Sequence, residues 1–218
     1  MTPYTNNKHQ IKVLQYMYGD FEYFQLSERI NRQYCERHGY NYVISRETPC
    51  ADRHVCWHKI PVILNELRDC DYLLFVDADA HFYSHELCVE EELLPLLGDK
   101  DILMAQDFVS ENERWTPGLP NSGVILTRNN ERTLVFFKTW NEASEIDEST
   151  RWQWPPEQRA LWNVVMPKFP DGLHVHPDYY MIHGRYSHFI RHYASLTDKE
   201  RTEKMKRFCQ SRKREVIS

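Results

Sequence analysis

The four apolar residues Leu73-Leu-Phe-Val76 run straight into Asp77-Ala-Asp79. An apolar run this short, with no polar alternation, is the pattern of a strand buried on both faces of a parallel sheet. Such a sheet needs helices on both sides, so this segment commits the chain to an α/β architecture. In open α/β sheets ligands bind beyond the carboxyl ends of the strands. A strand that ends in two acids delivers both to that place, and a turn after Asp77 lets both address one ligand. Two carboxylates in mutual reach repel unless a cation lies between them. Oxygen donors favour Mg²⁺ or Mn²⁺, ions that commonly bridge a protein to a diphosphate.

The surrounding segments supply the rest of that architecture. Lys12–Met17 reads as a strand. Phe24, Ser27, Ile30 and Tyr34 lie near one helix face, with Asp20 a candidate cap and Gly39 a stop. Tyr40–Ser45 reads as a second strand. Trp57, Ile60, Leu64 and Leu67 have helical spacing, and Pro61 is tolerated only in that helix's first turn. After this βαβαβ opening, helices are expected over 86–97, 131–143 and 157–165. Strands are expected over 101–105 and 121–127, and a loop over 108–120. The charged tail beyond Thr197 has helical propensity and is expected to be peripheral, with its basic cluster Lys204–Lys213 a solvated face.

The chain has 218 residues, enough for one full-sized domain with a real core. Its formal net charge of −5 argues against a nucleic-acid binder, which needs a basic face. No apolar run is long enough to span a bilayer, and residues 1–10 hold no apolar signal core. The expectation is a cytoplasmic chain with its six cysteines reduced. A longer multidomain protein around it stays open.

Three other classes compete. A phosphatase or phosphotransferase would also end an apolar strand in Asp-x-Asp, with Asp77 as nucleophile, but usually on the first strand. The nine residues Cys50–His58 hold two cysteines and two histidines. A zinc or interaction module is therefore conceivable, though zinc ligands usually pair at shorter spacing. A sugar-binding protein is the third. Trp115, Trp152 and Trp154, in expected loops, suit either sugar stacking or ordinary packing.

A set of segments in order carries a resemblance. These are Tyr34-Cys-Glu-Arg-His-Gly-Tyr-Asn-Tyr42, Trp57-His-Lys59-Ile, the Phe-Val-Asp77-Ala-Asp79-Ala run, Asn121-Ser-Gly123-Val-Ile-Leu-Thr-Arg128 followed by Trp140, Glu157-Gln158-Arg-Ala160-Leu, and Phe189-Ile-Arg-His192-Tyr-Ala. Across about Lys12 to Ser195 the chain resembles the metal-dependent GT-A glycosyltransferases. It is most similar to the group containing Golgi galactosyl-, mannosyl- and xylosyltransferases and compact relatives from large algal viruses. The late motif usually reads His-Phe-Ala-Gly and here ends in Ser195. Many relatives carry Asp where this chain has Glu157.

The resemblance implies one GT-A domain with a mixed central sheet flanked by helices. Its nucleotide-binding half would cover about 10–106, the half that completes the metal and acceptor sites about 107–197, and the tail 198–218. It implies Mn²⁺, with Mg²⁺ as alternative, on Asp77, Asp79 and His192, with His183 the competing histidine. Lys59 would stand near the diphosphate, and Tyr16 and Tyr18 near the base or ribose. Asn121, Gly123 and Gln158 would address the donor sugar. The donor would be a nucleoside-diphosphate sugar, by resemblance a UDP-sugar, and the acceptor a glycan hydroxyl. A general base, where one is needed, would be Glu157 or Asp107. Glu157 opens an expected helix, whose N-terminus favours its ionised form.

Overall fold

The computed structural model describes residues 9–107, 118–177, 182 and 184–215. The expectations on Trp115 and His183, and most of the expected loop over 108–120, fall outside them. The chain runs β1 (Ile11–Tyr16), α1 (Glu22–His38), β2 (Asn41–Ser45), α2 (Lys59–Glu66), β3 (Tyr72–Asp77) and β4 (Ala80–Phe82). It continues through the short turns α3 (Val89–Glu92) and α4 (Leu94–Leu97), then β5 (Ile102–Gln106), β6 (Pro120–Arg128), α5 (Glu131–Ile146) and α6 (Pro156–Ala160). β7 (Leu173–His176), β8 (Ile190–His192) and the tail helix α7 (Asp198–Glu215) complete it.

Six strands form one mixed sheet in the order β2-β1-β3-β6-β5-β7. β1 pairs in parallel with both β2 and β3, while β6 runs antiparallel between β3 and β5. Apolar side chains on both faces of β3 are fully buried and feed two separate cores, Leu74 and Val76 on one side, Leu73 and Phe75 on the other. This is the two-sided burial expected of the apolar run. Gly39 ends α1 in the left-handed conformation at φ 74°, which a glycine adopts without steric cost. The expected cap at Asp20 is corrected to Phe21, whose side chain makes no capping bond. The helix expected over 86–97 divides around Leu93 into α3 and α4, with Pro95 in the first turn of the second. The helix expected over 157–165 is α6 followed by a wider turn over Leu161–Val165.

Two features of this frame place the acids. First, Tyr16 pairs with Asp77 at the ends of β1 and β3, so the chain turns at the carboxyl edge of the sheet. Second, three buried polar side chains hold that turn. Gln15 Nε2 donates to the Asp77 carbonyl (3.0 Å). Ser27 Oγ (2.8 Å) and Asn31 Nδ2 (3.1 Å) from α1 donate to the Ala80 carbonyl. Asn31 Oδ1 accepts the Phe82 N–H (3.0 Å). Buried backbone groups at a sheet edge need such partners, and polar residues four apart on α1 supply them.

The tail is not peripheral along its first turns. Arg201, Met205 and Phe208 recur at i, i+4 and i+7 on α7, and Met205 and Phe208 bury into a third core with Met17, Tyr23, Phe24, Ile30 and Tyr193. No helix among the described residues is long and apolar enough to cross a membrane.

Candidate active site

The turn after Asp77 leads directly into β4, and β4 pairs antiparallel with β8 so that Ala80 faces His192. The Tyr193 N–H also donates to the Asp79 carbonyl (3.1 Å). A histidine more than a hundred residues away in sequence is thereby fixed beside both acids. Among the described residues Asp77, Asp79 and His192 are the one group of at least three His, Cys, Asp or Glu side chains able to share an ion, with ligand atoms within 4.8 Å of one another.

Each acid divides its two oxygens. Asp77 turns Oδ1 to the Lys59 ammonium (2.9 Å) and Oδ2 towards His192 Nε2 (3.7 Å). Asp79 turns Oδ2 to Arg201 (3.0 Å) and Oδ1 to the same Nε2 (3.0 Å). One oxygen of each carboxylate is held from behind by a fixed cation while the other points at the imidazole. Partners behind the ligand atoms are what orient a metal site.

The electrostatics follow from burial against neighbours. Burial pushes the Asp77 carboxyl up, against the pull of Lys59 and His192. Burial also raises Asp79, but the His192 charge and hydrogen bond and the Arg201 charge outweigh it and hold this carboxyl at about 2. Burial depresses His192, and the charge and hydrogen bond of Asp79 more than restore it, leaving the imidazole above its ordinary value. Burial likewise lowers Lys59, and Asp77 with Glu157 reverse the effect. The ammonium is therefore a permanent charge at neutral pH.

These groups line a cavity of about 480 Å³, within the range of small-molecule sites. Its wall carries four carboxylates, Asp77, Asp79, Asp107 and Glu157, against two fixed cations, Lys59 and Arg201. That excess of negative charge, with two oxygen donors and one nitrogen converging, fits a divalent cation.

A second group lies beside the first. Ser122 on β6 donates Oγ–H to Glu157 Oε1 (2.8 Å), and its N–H donates to Gln158 Oε1 (2.9 Å). Gln158 Nε2 donates to Asp107 Oδ2 (2.6 Å), and Asn121 Nδ2 donates to Asp107 Oδ1 (3.1 Å). Lys59 links the groups, 3.5 Å from Glu157 and donating to the Ser122 carbonyl (3.2 Å). Glu157 is only 4% exposed, whereas Asp107 is half-buried. Trp140 Nε1 donates to the Glu157 carbonyl (2.8 Å) and fixes α6 against α5.

Of the residues singled out in the sequence, Lys59, Asp77, Asp79, Asp107, Asn121, Glu157, Gln158 and His192 meet in the cavity wall. Tyr16 and Tyr18 do not line it. Tyr16 is buried and hydrogen-bonds His58 Nδ1 (2.6 Å), while Tyr18 is 51% exposed with its ring edge-on to His58. His58 Nε2 also meets the Cys50 carbonyl. A carbonyl only accepts, so Nε2 carries the proton and Nδ1 accepts from Tyr16. The cysteine–histidine stretch is thus tied into local hydrogen bonds, and all six cysteines are free thiols. Arg201 and Ser122 are site residues that sequence reasoning missed. The only signal for Arg201 was its place in the i, i+4, i+7 stripe with Met205 and Phe208.

Two backbone positions carry the packing around His192. A side chain at Gly123 would run into the imidazole, its Cβ falling 2.6 Å from Nδ1. Ser195 adopts φ 63°, the left-handed region that favours glycine. Holding a non-glycine residue there costs roughly 1–2 kcal/mol.

Six-stranded order, mixed sense and acids at the carboxyl edge define a GT-A glycosyltransferase fold. Similar solved structures include a glycosyltransferase involved in glycosylating the major capsid of PBCV-1, at TM-score 0.72 and 16% identity over 90% of this chain and 98% of that one. The galactosyltransferase LgtC, solved with donor and acceptor sugar analogues, superposes at TM-score 0.61 and 14% identity over 92% and 95%. A Drosophila β1,4-galactosyltransferase 7 mutant, solved with manganese, UDP-Gal and xylobiose, does so at TM-score 0.51 and 16% identity over 88% and 73%. Residues 7–168 match the model of the galactosyl transferase GMA12/MNN10 family, and the chain belongs to that family. No curated protein sequence matches it significantly.

Proposed function

We propose that this glycosyltransferase takes its sugar from a nucleoside-diphosphate donor, by preference a UDP-sugar, held through Mn²⁺ on Asp77, Asp79 and His192, and passes it to a glycan hydroxyl. The observation that carries this is the convergence of Asp77 Oδ2, Asp79 Oδ1 and His192 Nε2, each acid backed by a cation on its other oxygen. The manganese, UDP-Gal and xylobiose in the Drosophila enzyme support the same choice of metal and donor. Bound there, the ion would offset the charge that develops on the departing diphosphate.

The chain's own residues do the rest. Lys59 and Arg201 keep the two carboxylates aimed inward. His192 gives up its Nε2 proton to offer a lone pair, so metal affinity rises with pH across its titration. Asn121, Gln158 and Asp107 form a hydrogen-bonded rim suited to sugar hydroxyls. Of the two candidates for accepting a proton, half-buried Asp107 is the better placed. Glu157 is shielded and fixes Ser122 and Lys59 instead.

The phosphatase alternative would use Asp77 as nucleophile, and family membership counts against it. The test is a screen of nucleotide sugars for Mn²⁺-dependent hydrolysis by the purified chain. Turnover of at least one UDP-sugar that stops on chelation is the expected result. Mn²⁺-independent phosphate release from generic monoesters, with no sugar release, would favour the phosphatase.

A further inference from the structure

We infer that Trp154 is a stacking platform for the pyranose ring of the acceptor in the wall of this cavity. This rests on the proposed transfer reaction. The starting observation is exposure. Trp154 is 72% exposed, more than any other large hydrophobic side chain among the described residues, yet it lines the same cavity as Asp79 and His192. Trp152, two residues earlier, is 60% exposed and does not line it.

The indole is not on a loose strand. Arg159 Nη2 donates to the Trp154 carbonyl (2.8 Å), Nη1 donates to Gln153 Oε1 (3.2 Å), and the Arg159 N–H donates to the Pro155 carbonyl (2.9 Å). The His54 ring stands edge-on to the indole with centroids 6.0 Å apart. The same α6 that anchors this segment carries Glu157 and Gln158, so the platform is tied to the helix that holds one side of the amide rim. A fixed aromatic ring supplies contact area at small entropic cost.

The acids, Lys59 and Arg201 of the cavity wall suit a charged, metal-held diphosphate. Trp154 and Pro155 add an apolar surface to the same wall, which also carries the amides of Asn121 and Gln158 bonded to the Asp107 carboxylate. A pyranose matches that combination, with a C–H face for the indole and hydroxyls for the amides and Asp107. Nucleobases also stack on indoles. The rim of Asn121, Gln158 and Asp107 in the same wall matches the several hydroxyls of a sugar, and the test separates sugar from base.

The test uses the full chain loaded with UDP and with diamagnetic Mg²⁺ in place of Mn²⁺, ¹⁵N-labelled at its six tryptophans. The probes are methyl glycosides of galactose, glucose, mannose and xylose. At least one should shift the indole N–H resonance that Trp154→Phe removes. Its half-saturating concentration, read in every protein by isothermal titration calorimetry, should rise about tenfold in Trp154→Ala, the loss of one stacked ring contact. Trp152→Ala should bind the glycoside like wild type, and all variants should bind UDP within about twofold of wild type. A glycoside affinity unchanged in Trp154→Ala, or no glycoside shifting that resonance while UDP binds, overturns the platform alone. A selective loss of UDP affinity in Trp154→Ala assigns the indole to the base and also overturns it. Wild type that fails to bind UDP with Mn²⁺ sinks the donor reading, and this inference with it.

Discussion

Replacing Asp79 should lower Mn²⁺-dependent release of sugar from the donor by about 10³-fold or more, the scale of removing a group that stabilises developing charge. The Asp79 carboxyl is held at about 2, and its two oxygens face His192 and Arg201. Asp79→Ala removes a ligand and leaves the Arg201 guanidinium without its inward partner, so some of its effect would be structural. Asp79→Asn keeps the shape and one accepting oxygen, but removes the charge and turns an NH₂ donor towards either His192 or Arg201. Both variants should lose activity, with Asp79→Asn still unfolding cooperatively in a thermal melt. An Asp79→Asn protein that retains Mn²⁺-dependent turnover would place the ion elsewhere. Asp77→Asn should also be impaired, but its readout is mixed, because Lys59 then faces Glu157 alone in a buried setting.

Gly123→Ala should cut turnover by about 10²-fold for a reason unrelated to sugar contact. The added methyl collides with the His192 ring. β8 is tied to β4 by backbone pairing, so the imidazole must leave its place between Asp77 and Asp79. Overpacking of this kind costs about 1–3 kcal/mol of stability. The account also predicts strong non-additivity. In a His192→Ala background the collision with the ring is gone and a tight contact with Asn121 Oδ1 (3.0 Å) remains, so Gly123→Ala should cost little more in activity. Turnover measured across the four proteins of this cycle checks it. Additive losses would mean that Gly123 acts on the substrate directly, as the resemblance implied.

That contrast shows what the sequence revealed. Residues of strong, continuous signal were legible. The Leu73–Val76 run could only be a buried strand, and two acids at its end could only sit at the carboxyl edge of the sheet. Gly39 closed its helix where expected. Short pairings were not legible. β4 and β8 have three residues each, and β7 has four, too few for a period of two to rise above chance. Yet the β4–β8 pairing is what brings His192 to the acids. His192 was named through resemblance, and the structure supplies the physical cause of its position.

Charge hid other features. Arg201 sits in a tail whose composition reads as a solvated helix, and only the buried Met205 and Phe208 on the same face show that it points inward. Lys59 was assigned to the diphosphate, but its ammonium is shared by Asp77, Glu157 and the Ser122 carbonyl. Any contact with a diphosphate would be added to that network. Tyr16 and Tyr18 look like ligand contacts at a strand end, but Tyr16 bonds His58 and neither ring lines the cavity. Sequence spacing places a residue near an edge and does not say which neighbour will claim its hydrogen bonds.

The central claim is that Asp77, Asp79 and His192 load the donor through a divalent ion. Calorimetric titration of UDP into the wild-type chain, once with Mn²⁺ and once with a chelator, tests it most directly. The account predicts binding with Mn²⁺ that weakens by about 10²-fold or more without it, a difference near 3 kcal/mol. Equal UDP affinity in the two titrations would contradict it.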